Sequence, residues 1–297
     1  MTISDFFSSE LKSVGEAAGP ARAVVFVQGL HKWHGMFESL RGVDLEVTRG
    51  EVVVILGPDG AGKTTLMEIL GGVRTPSSGV VRVFGEDPSR AGEAWHARTG
   101  TVLQMWRENS GWRVRDLLEY CAARYASIRP LGCPQPRPVG EVLELVRMTG
   151  SAVKRLGTLH DDQRRQFDIA FSLITRPELL LLDEPTKDLG PAACGELHEV
   201  VRDLAIGEGM TIILTTRDLA EAQRIGDRVA VLMQGRLVTQ CAPAEAWRRY
   251  PGTPCDFQDL RGHNWCPASS IWQGFFGFEC WGVRGGQSQM HLFGPVP

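Results

Sequence analysis

The residues with the clearest chemical potential lie in one glycine-rich stretch, Gly57-Pro58-Asp59-Gly60-Ala61-Gly62-Lys63-Thr64-Thr65. Glycines allow backbone N–H groups to curl around a phosphate, and a helix that starts in the stretch adds the positive end of its dipole. Lys63 can reach phosphate oxygens, and the hydroxyl of Thr64 can be a ligand of Mg²⁺. The apolar run Val52 to Leu56 precedes the stretch, and the helical run Leu66 to Leu70 follows it. This order of strand, loop and helix predicts a phosphate-binding loop.

Two adjacent carboxylates form the second chemical feature. The apolar run Leu179 to Leu182 predicts a buried parallel strand, and it ends in Asp183-Glu184-Pro185. A carboxylate at the tip of such a strand lies beside a phosphate loop, so we expect Asp183 to hold Mg²⁺ and Glu184 to polarise an attacking water. Two ordinary acids that end a strand are the alternative, and the phosphate loop in the same chain argues against it.

The composition indicates an ordinary globular protein and excludes several functions. The chain has 297 residues, of which 43% are hydrophobic and 23% charged, with a net charge of −3. This near-neutral balance gives no reason to expect nucleic acid as a partner. No apolar run approaches the roughly 20 residues that span a bilayer, so we expect a cytoplasmic protein whose membrane role, if any, needs a separate subunit. Seven cysteines without a CxxC pair fit a reducing compartment.

The elements that must position these residues alternate between strand and helix patterns. We predict an antiparallel β entry from three strands, then two further strands before the second chemical stretch. Helical periodicity from Val114 to Thr158 is interrupted by prolines between Leu131 and Pro138. A helix is predicted from Gln163, followed by alternating helices and strands that end in a last core strand. The predicted strands are Val24–Val27, Gly42–Val47, Glu51–Leu56, Val80–Phe84, Thr99–Leu103, Thr211–Leu214 and Arg228–Gln234, and the later helices are Gly195–Ala205 and Leu219–Ile225.

These patterns divide the chain into three parts. Residues 1–22 are expected to be a loosely held extension, residues 23–250 the domain that carries the phosphate loop, with a helical insert at about 105–165, and residues 251–297 a Gly- and aromatic-rich tail. The tail is interpreted as loosely packed, with contact to a membrane or partner surface as the alternative. Zinc binding there is disfavoured, because the candidate ligands lack closely spaced pairs. Those candidates are Cys255, His263, Cys266 and Cys280.

From about Val24 to Tyr250 the order of elements resembles the nucleotide-binding subunit of ABC transporters. It looks most like the drug-resistance exporter branch, in which a separate membrane subunit does the translocating. The resemblance is carried by GPDGAGKTT at Gly57 to Thr65, RRQFDIAFSLITRPELLLLDEPT at Arg164 to Thr186, and TIILTTRDLAEAQRIGDRVAVL at Thr211 to Leu232. It implies a P-loop NTPase fold of the α/β class, with a mostly parallel core sheet, an antiparallel β subdomain and a helical insert.

The resemblance also implies roles for residues outside the two motifs. Gln104, which follows a predicted strand, would be the loop glutamine that senses Mg²⁺, water and the membrane subunit. The family stacks an aromatic ring on adenine shortly before the first turn, where this chain has Trp33 and His34. Either ring could stack, and surface packing of Trp33 is the alternative. Trp106 and Trp112 could line the groove for the membrane subunit or pack the insert against the core.

The sequence departs from the family most strongly at the signature LSGGQ, which caps the ATP of a second subunit. This chain has Leu159-His160-Asp161-Asp162-Gln163. Both glycines, which let the backbone approach the γ-phosphate, are carboxylates here. Two anions about 4 Å apart at an effective dielectric of about 20 repel by roughly 4 kcal/mol. We therefore expect this signature not to clasp ATP. The alternative is that the two acids cap their own helix, which predicts the same loss.

Three further departures concern the residues around the γ-phosphate. The family's Gly-Leu-Asp after the metal strand is Asp188-Leu189-Gly190, so the aspartate that crosses the interface is absent. The histidine expected to contact the γ-phosphate is Arg217, which could pair with phosphate or instead with Asp218 or another acid. Asp59 places an additional negative charge in the phosphate loop.

These features lead to two hypotheses of different classes. The first is the ATP-binding subunit of an exporter, which binds ATP and Mg²⁺ and is held at the inner face of the cell membrane by an integral membrane permease. It would form a homodimer, or a heterodimer with another ABC ATPase subunit. The second is a nucleotide-binding partner or regulator with little turnover of its own. A DNA- or ribosome-associated ABC protein is disfavoured by the neutral charge and the single ATPase core.

Overall fold

The computed structural model describes residues 23–103 and 111–249. Several predictions fall outside these ranges. They are the extension 1–22, Gln104 and Trp106, and the tail 251–297 with its Cys255, His263, Cys266 and Cys280. Within the described ranges, no helix combines the length and the apolar character that crossing a membrane requires.

A three-stranded antiparallel sheet begins the described chain. Its strand order is β2-β1-β4, with β1 in the centre. A tight turn at Gly35 joins β1 to β2, and the last residue of β1, His34, pairs directly with the first residue of β2, Phe37. The strands are β1 (Ala23–His34), β2 (Phe37–Thr48) and β4 (Ser78–Val83).

A six-stranded sheet forms the centre of the domain, in the order β5-β6-β7-β3-β8-β9. Its first five strands run parallel and β9 runs antiparallel to β8. The three central parallel strands β3, β6 and β7 are wholly buried, as expected for a sheet covered on both faces. The strands are β3 (Val52–Leu56), β5 (Thr99–Val102), β6 (Leu179–Leu182), β7 (Thr211–Thr216), β8 (Arg228–Met233) and β9 (Arg236–Cys241).

The helices connect the parallel strands and cover the sheet. In β3, Val52, Val54 and Leu56 pack in one core with the helices between β5 and β7, whereas Val53 and Ile55 pack in a second core with the first helix and the antiparallel sheet. The α-helices are α1 (Lys63–Leu70), α2 (Glu93–Arg98), α3 (Val114–Ile128), α4 (Val139–Leu145), α5 (Asp161–Leu173), α6 (Pro191–Glu208), α7 (Leu219–Ile225) and α8 (Pro243–Arg249). Short 3₁₀ turns lie at Pro88–Arg90, Thr149–Ser151 and Leu156–Thr158.

The structure corrects the sequence-based prediction in four respects. The strand β3 was assigned to an antiparallel entry but pairs in parallel with β7 and β8, because strand partners are chosen by packing rather than by neighbouring sequence. The predicted last core strand, Arg228–Gln234, is followed by a further strand, β9. The helix α5 starts at Asp161, two residues before the predicted start, so Asp161 and Asp162 belong to its first turn. The helices α2 and α8 were not predicted.

Candidate functional site

The glycine-rich stretch connects β3 to α1. At two of its positions the neighbouring backbone is so close that only glycine fits. A Cβ on Gly57 would lie 2.2 Å from the carbonyl oxygen of Leu232. A Cβ on Gly62 would lie 2.5 Å from the carbonyl oxygen of Ser39, and its φ of +103° is in the left-handed region. Strands β2 and β8 therefore press against the loop from outside. Gly60, with a φ of +77°, faces open space at the centre of the loop, where a phosphate would lie.

Lys63 begins α1 and points back into the loop. Its side chain is only 4% exposed, and its Nζ donates hydrogen bonds to the carbonyl oxygens of Gly57 (2.8 Å) and Pro58 (3.0 Å). Its third contact is Glu184 Oε1, at 3.0 Å. Because an ammonium has three N–H donors, all three are directed to groups of the chain itself.

Asp183 joins the end of β6 to the loop and to β7. Its carboxylate is fully buried, with the Thr64 hydroxyl donating to Oδ2 at 2.8 Å and the Thr215 hydroxyl donating to Oδ1 at 2.7 Å. The backbone N–H of Glu184 in turn donates to Thr215 Oγ1 at 2.8 Å. The parallel pairing of β6 with β7, and of β7 with β3, places these strand ends side by side.

The oxygen atoms gathered here suit a magnesium ion. Mg²⁺ prefers carboxylate and hydroxyl oxygens and usually keeps several waters. Thr64 Oγ1 and Asp183 Oδ2 lie within hydrogen-bond distance of each other, at 2.8 Å, so the two oxygens of the expected pair do converge. The donor set therefore fits the ion that the sequence led us to expect.

Glu184 is held between two lysines. Its Oε1 lies 3.0 Å from Lys63 Nζ and its Oε2 lies 3.3 Å from Lys187 Nζ. Burial alone would raise the pKa of Glu184, but hydrogen bonds and positive charge from Lys63 and Lys187 outweigh it and hold the pKa below its ordinary value of 4.5. Its φ of +44° is left-handed, which is uncommon outside glycine and stores strain of roughly 1–3 kcal/mol. Glu184 is thus an ionised carboxylate in a fixed position.

Residues from both motifs, although not the fully buried Asp183, line one open cleft. Its described lining is Lys63, Thr64, Thr65, Glu184 and Lys187, together with Asp59, Gly60, Gly62, His34, Phe37 and Ser39. His34 and Phe37 are directly opposite each other in the β1–β2 hairpin, so the two rings lie at the same end of the cleft. Trp33, the other residue considered for stacking on adenine, is 47% exposed and is not among these lining residues.

Arg217 contacts the phosphate loop rather than its neighbour in sequence. Its guanidinium lies 3.2 Å from Asp59 Oδ2, so of the two expected alternatives the structure shows the ion pair with an acid. Asp218 is engaged otherwise, because its Oδ1 accepts hydrogen bonds from the N–H groups of Ala220 (2.6 Å) and Glu221 (3.3 Å) and caps α7. The Asp59 side chain is 55% exposed, so the ion pair itself adds at most about 1 kcal/mol to stability.

The segment Leu159 to Gln163, which the resemblance places at the signature, lies at the N-terminus of α5. His160 is the N-cap residue and makes no side-chain capping hydrogen bond, while Asp161 and Asp162 are in the first turn. The two carboxylates complement the helix dipole there, and the N-cap position belongs to His160 and not to either aspartate. Gly190, in the position of the absent interface aspartate, is the N-cap of α6.

Four residues of the site were not identified from the sequence. Thr215 positions Asp183 and Glu184, and the buried Glu221 accepts hydrogen bonds from the hydroxyls of Thr186 (2.8 Å) and Thr216 (2.5 Å). Lys187 and Phe37 line the cleft. A signal existed for Lys187, since it follows Glu184 by three residues, and for Phe37, since it follows a turn-forming glycine. Gln104 lies outside the described residues.

Comparison with known proteins gives a consistent picture. The pattern of the ABC transporter family matches residues 40–187. Daunorubicin resistance ATP-binding protein DrrA3 of Streptomyces coeruleorubidus is 36% identical over 221 residues, covering 74% of this chain and 68% of its own length. Nod factor export ATP-binding protein I of Paraburkholderia xenovorans is 33% identical over 225 residues, covering 76% of this chain and 72% of its own length. Sulfate/thiosulfate import ATP-binding protein CysA of Methylococcus capsulatus is 34% identical over 238 residues, covering 78% of this chain and 67% of its own length.

Solved structures agree on the fold. The ADP conformation of MJ1267, an ATP-binding cassette of an ABC transporter, superposes with a TM-score of 0.67 at 21% identity, covering 81% of this chain and 99% of that chain. The dimeric post-hydrolysis state of the ATP-binding cassette MJ0796, bound to ADP and Pi, gives a TM-score of 0.63 at 22% identity, covering 74% and 98%. These matches confirm the predicted α/β fold of ABC type.

Because Glu184 is buried between Lys63 and Lys187, we predict that its carboxylate contributes to the stability of the fold in a pH-dependent way. Because the folded-state pKa of Glu184 is lowered, its ionised form stabilises the fold above the unfolded-state pKa, and this stabilisation is lost as the pH falls through the folded-state value. We expect Glu184→Gln to lower the free energy of unfolding near pH 7 and the difference from wild type to shrink below about pH 4.5.

Urea unfolding at a series of pH values measures this difference, with Glu196→Gln, an exposed glutamate of α6, as the matched substitution. A wild-type advantage that is equal at pH 7 and pH 4 would show that the two lysines do not stabilise the Glu184 carboxylate.

Proposed function

The chain belongs to the ABC transporter family as an ATP-binding subunit, and we propose that it serves an exporter whose membrane-spanning part is a separate protein. The observation that carries the proposal is the convergence of Lys63, Thr64 and Glu184 on one cleft, with the buried Asp183 hydrogen-bonded to the Thr64 hydroxyl. Membership of this family implies ATP binding, typically with Mg²⁺. The relatives named for daunorubicin resistance and Nod factor export support export, although the CysA relative is named for import.

In this proposal each residue of the cleft has a defined task. The backbone around Gly60 and the ammonium of Lys63 bind the phosphates, and Thr64 and Asp183 would hold Mg²⁺, which supplies charge neutralisation on phosphate oxygens when bound. Glu184 orients the attacking water. Its lowered pKa keeps it ionised, so it is a hydrogen-bond acceptor at neutral pH. Gln104 would sense the occupied site, as the resemblance to the family implies.

The second candidate function is that of a nucleotide-binding partner with little turnover alone. The first turn of α5 favours it, because Asp161 and Asp162 occupy the signature positions that should approach a γ-phosphate bound to the other subunit. A homodimer would bring these carboxylates to both ATP sites. A heterodimer with an ABC subunit that has an intact signature would restore one of them.

ATP binding and turnover by the purified chain distinguish these functions. We expect MgATP binding that Lys63→Ala weakens by at least about tenfold, since a charge-assisted hydrogen bond to phosphate is worth roughly 1.5–3 kcal/mol.

Steady-state hydrolysis by the chain alone should be close to background, and the triple substitution H160S/D161G/D162G should increase both hydrolysis and ATP-dependent dimerisation. Adding Glu184→Gln to the triple variant should abolish the gained hydrolysis while leaving MgATP bound. Wild-type turnover that Glu184→Gln and Lys63→Ala both abolish would instead show that the altered signature supports a working dimer.

The hairpin rings suggest how the base is recognised. His34 and Phe37 lie opposite each other at one end of the cleft, and Phe37 is 60% exposed, so its ring is accessible to adenine. We expect Phe37→Ala to weaken MgATP binding by about tenfold, because stacking of a base on an aromatic ring is worth about 1–3 kcal/mol.

Isothermal titration measures this effect with two controls. Met36→Ala alters the neighbouring turn residue, which is almost fully exposed and outside the cleft lining. Magnesium tripolyphosphate lacks a base, so its affinity should be the same for wild type and Phe37→Ala. If Trp33→Ala and not Phe37→Ala weakens ATP binding, the base stacks on Trp33.

A membrane partner is the remaining part of the proposal. Trp112 and Tyr120 are both exposed, and their ring centroids are 5.5 Å apart at the start of the helical insert. These rings offer the partner an aromatic anchor of the type common in interface centres. The test is purification of the tagged full-length chain from solubilised membranes. Recovery with an integral membrane permease is expected, whereas recovery with ribosomes alone would favour a non-transport function.

A further inference from the structure

Lys187 occupies a position in the cleft that the phosphate loop and the metal site do not explain. Its backbone N–H donates to the carbonyl oxygen of Glu184 at 3.1 Å, which folds the chain back over the end of β6. Its Nζ lies 3.3 Å from Glu184 Oε2, while Lys63 Nζ lies 3.0 Å from Oε1 of the same carboxylate. One carboxylate therefore holds two ammonium groups that both line the cleft.

The backbone around Lys187 is fixed, whereas its side chain reaches the surface. Glu184 and Asp188 have left-handed φ values of +44° and +62°, and the neighbouring Thr186 hydroxyl donates to the buried Glu221 at 2.8 Å. The side chain of Lys187 is 34% exposed, in contrast to 4% for Lys63. Its ammonium can thus move from Glu184 to an anion in the cleft without any change in the loop.

The charges of the cleft indicate what kind of anion would be stabilised. The described lining contains two carboxylates, Asp59 and Glu184, and two ammonium groups, Lys63 and Lys187. Without Lys187 the lining would carry a net negative charge, which repels a triphosphate. Arg217 does not replace it in this lining, because Arg217 is not one of the residues that line the cleft, and its guanidinium lies 3.2 Å from Asp59 Oδ2.

A second copy of the chain would not supply the missing positive environment either. The residues at its signature, His160, Asp161 and Asp162, bring two carboxylates to the N-terminus of α5. We propose that Lys187 binds the γ-phosphate of ATP within the same chain and so distinguishes ATP from ADP, an inference that rests on the proposed function.

The competing explanation is that Lys187 only positions Glu184. The two roles differ in what they change. A γ-phosphate ligand affects the affinity for MgATP more than that for MgADP, whether or not residue 184 is a carboxylate. A residue that only orients Glu184 affects turnover and leaves the affinities for both nucleotides unchanged.

Isothermal titration of the full-length chain with MgATP and with MgADP separates the two roles. We expect Lys187→Ala to weaken MgATP binding about tenfold and MgADP binding less than about twofold, since the γ-phosphate contact is a charge-assisted hydrogen bond. Lys187→Arg keeps the charge and should remain within about threefold of wild type for MgATP. Lys154→Ala removes an exposed lysine elsewhere on the chain and controls for net charge. Circular dichroism verifies that each variant is folded.

A double-mutant cycle with Glu184→Gln sharpens the test. In the wild-type chain, Lys187 must give up its ion pair with the Glu184 carboxylate in order to bind the phosphate. In the Glu184→Gln variant the neighbouring side chain is neutral, so Lys187 loses no ion pair when it binds the phosphate. We therefore expect Lys187→Ala to weaken MgATP binding more in the Glu184→Gln background than in wild type. No effect of Lys187→Ala in that background would overturn the inference and leave Lys187 with a positioning role.

The control Lys63→Ala separates failure of this inference from failure of the proposed function. Wild-type binding that depends on Lys63, combined with an unchanged ratio of ATP to ADP affinity in Lys187→Ala, would overturn only the role of Lys187. Wild-type binding that is absent, or that Lys63→Ala does not weaken, would overturn the proposed function and this inference with it.

Discussion

The site depends on one fully buried carboxylate, that of Asp183. A buried carboxylate is costly unless hydrogen bonds satisfy it, and Asp183 receives one from Thr64 in the phosphate loop and one from Thr215 at the end of β7. These contacts require β6, β7 and α1 to end or begin at the same point of the sheet. The same Thr215 oxygen accepts the N–H of Glu184, so the position of the next carboxylate follows from the first.

Around this centre, charged residues that the family does not usually have form ion pairs that balance one another's charge. Asp59 adds a negative charge to the phosphate loop, and Arg217, where the family's histidine would be, pairs with it. Lys187 adds a positive charge beside Glu184. The Glu184 carboxylate forms ion pairs with both Lys187 and Lys63. Each of these pairs lies within a single chain. In our proposal, the chain thereby replaces with its own residues part of the positive environment that a partner's signature would otherwise contribute.

The fold was predictable where a local pattern had only one good solution. The runs Val52–Leu56 and Leu179–Leu182 are too apolar to be anything but buried, and both are central strands. The strand β9 was missed because its residue types do not follow its alternating burial: Val238 is exposed and Thr239 is partly buried. The antiparallel assignment of β3 failed because pairing with β7, some 160 residues later in the chain, is decided by tertiary packing.

The sequence by itself determined the glycine-rich loop between a strand and a helix and the buried strand that carries Asp183 and Glu184, because each depends on residue types at short spacing. Only the tertiary structure decided which of these residues meet. It paired Arg217 with Asp59 of the distant phosphate loop, while the adjacent Asp218 caps α7. It placed Phe37 opposite His34 and left Trp33 outside the cleft lining, since strand pairing and not proximity in sequence sets which rings share an end of the cleft.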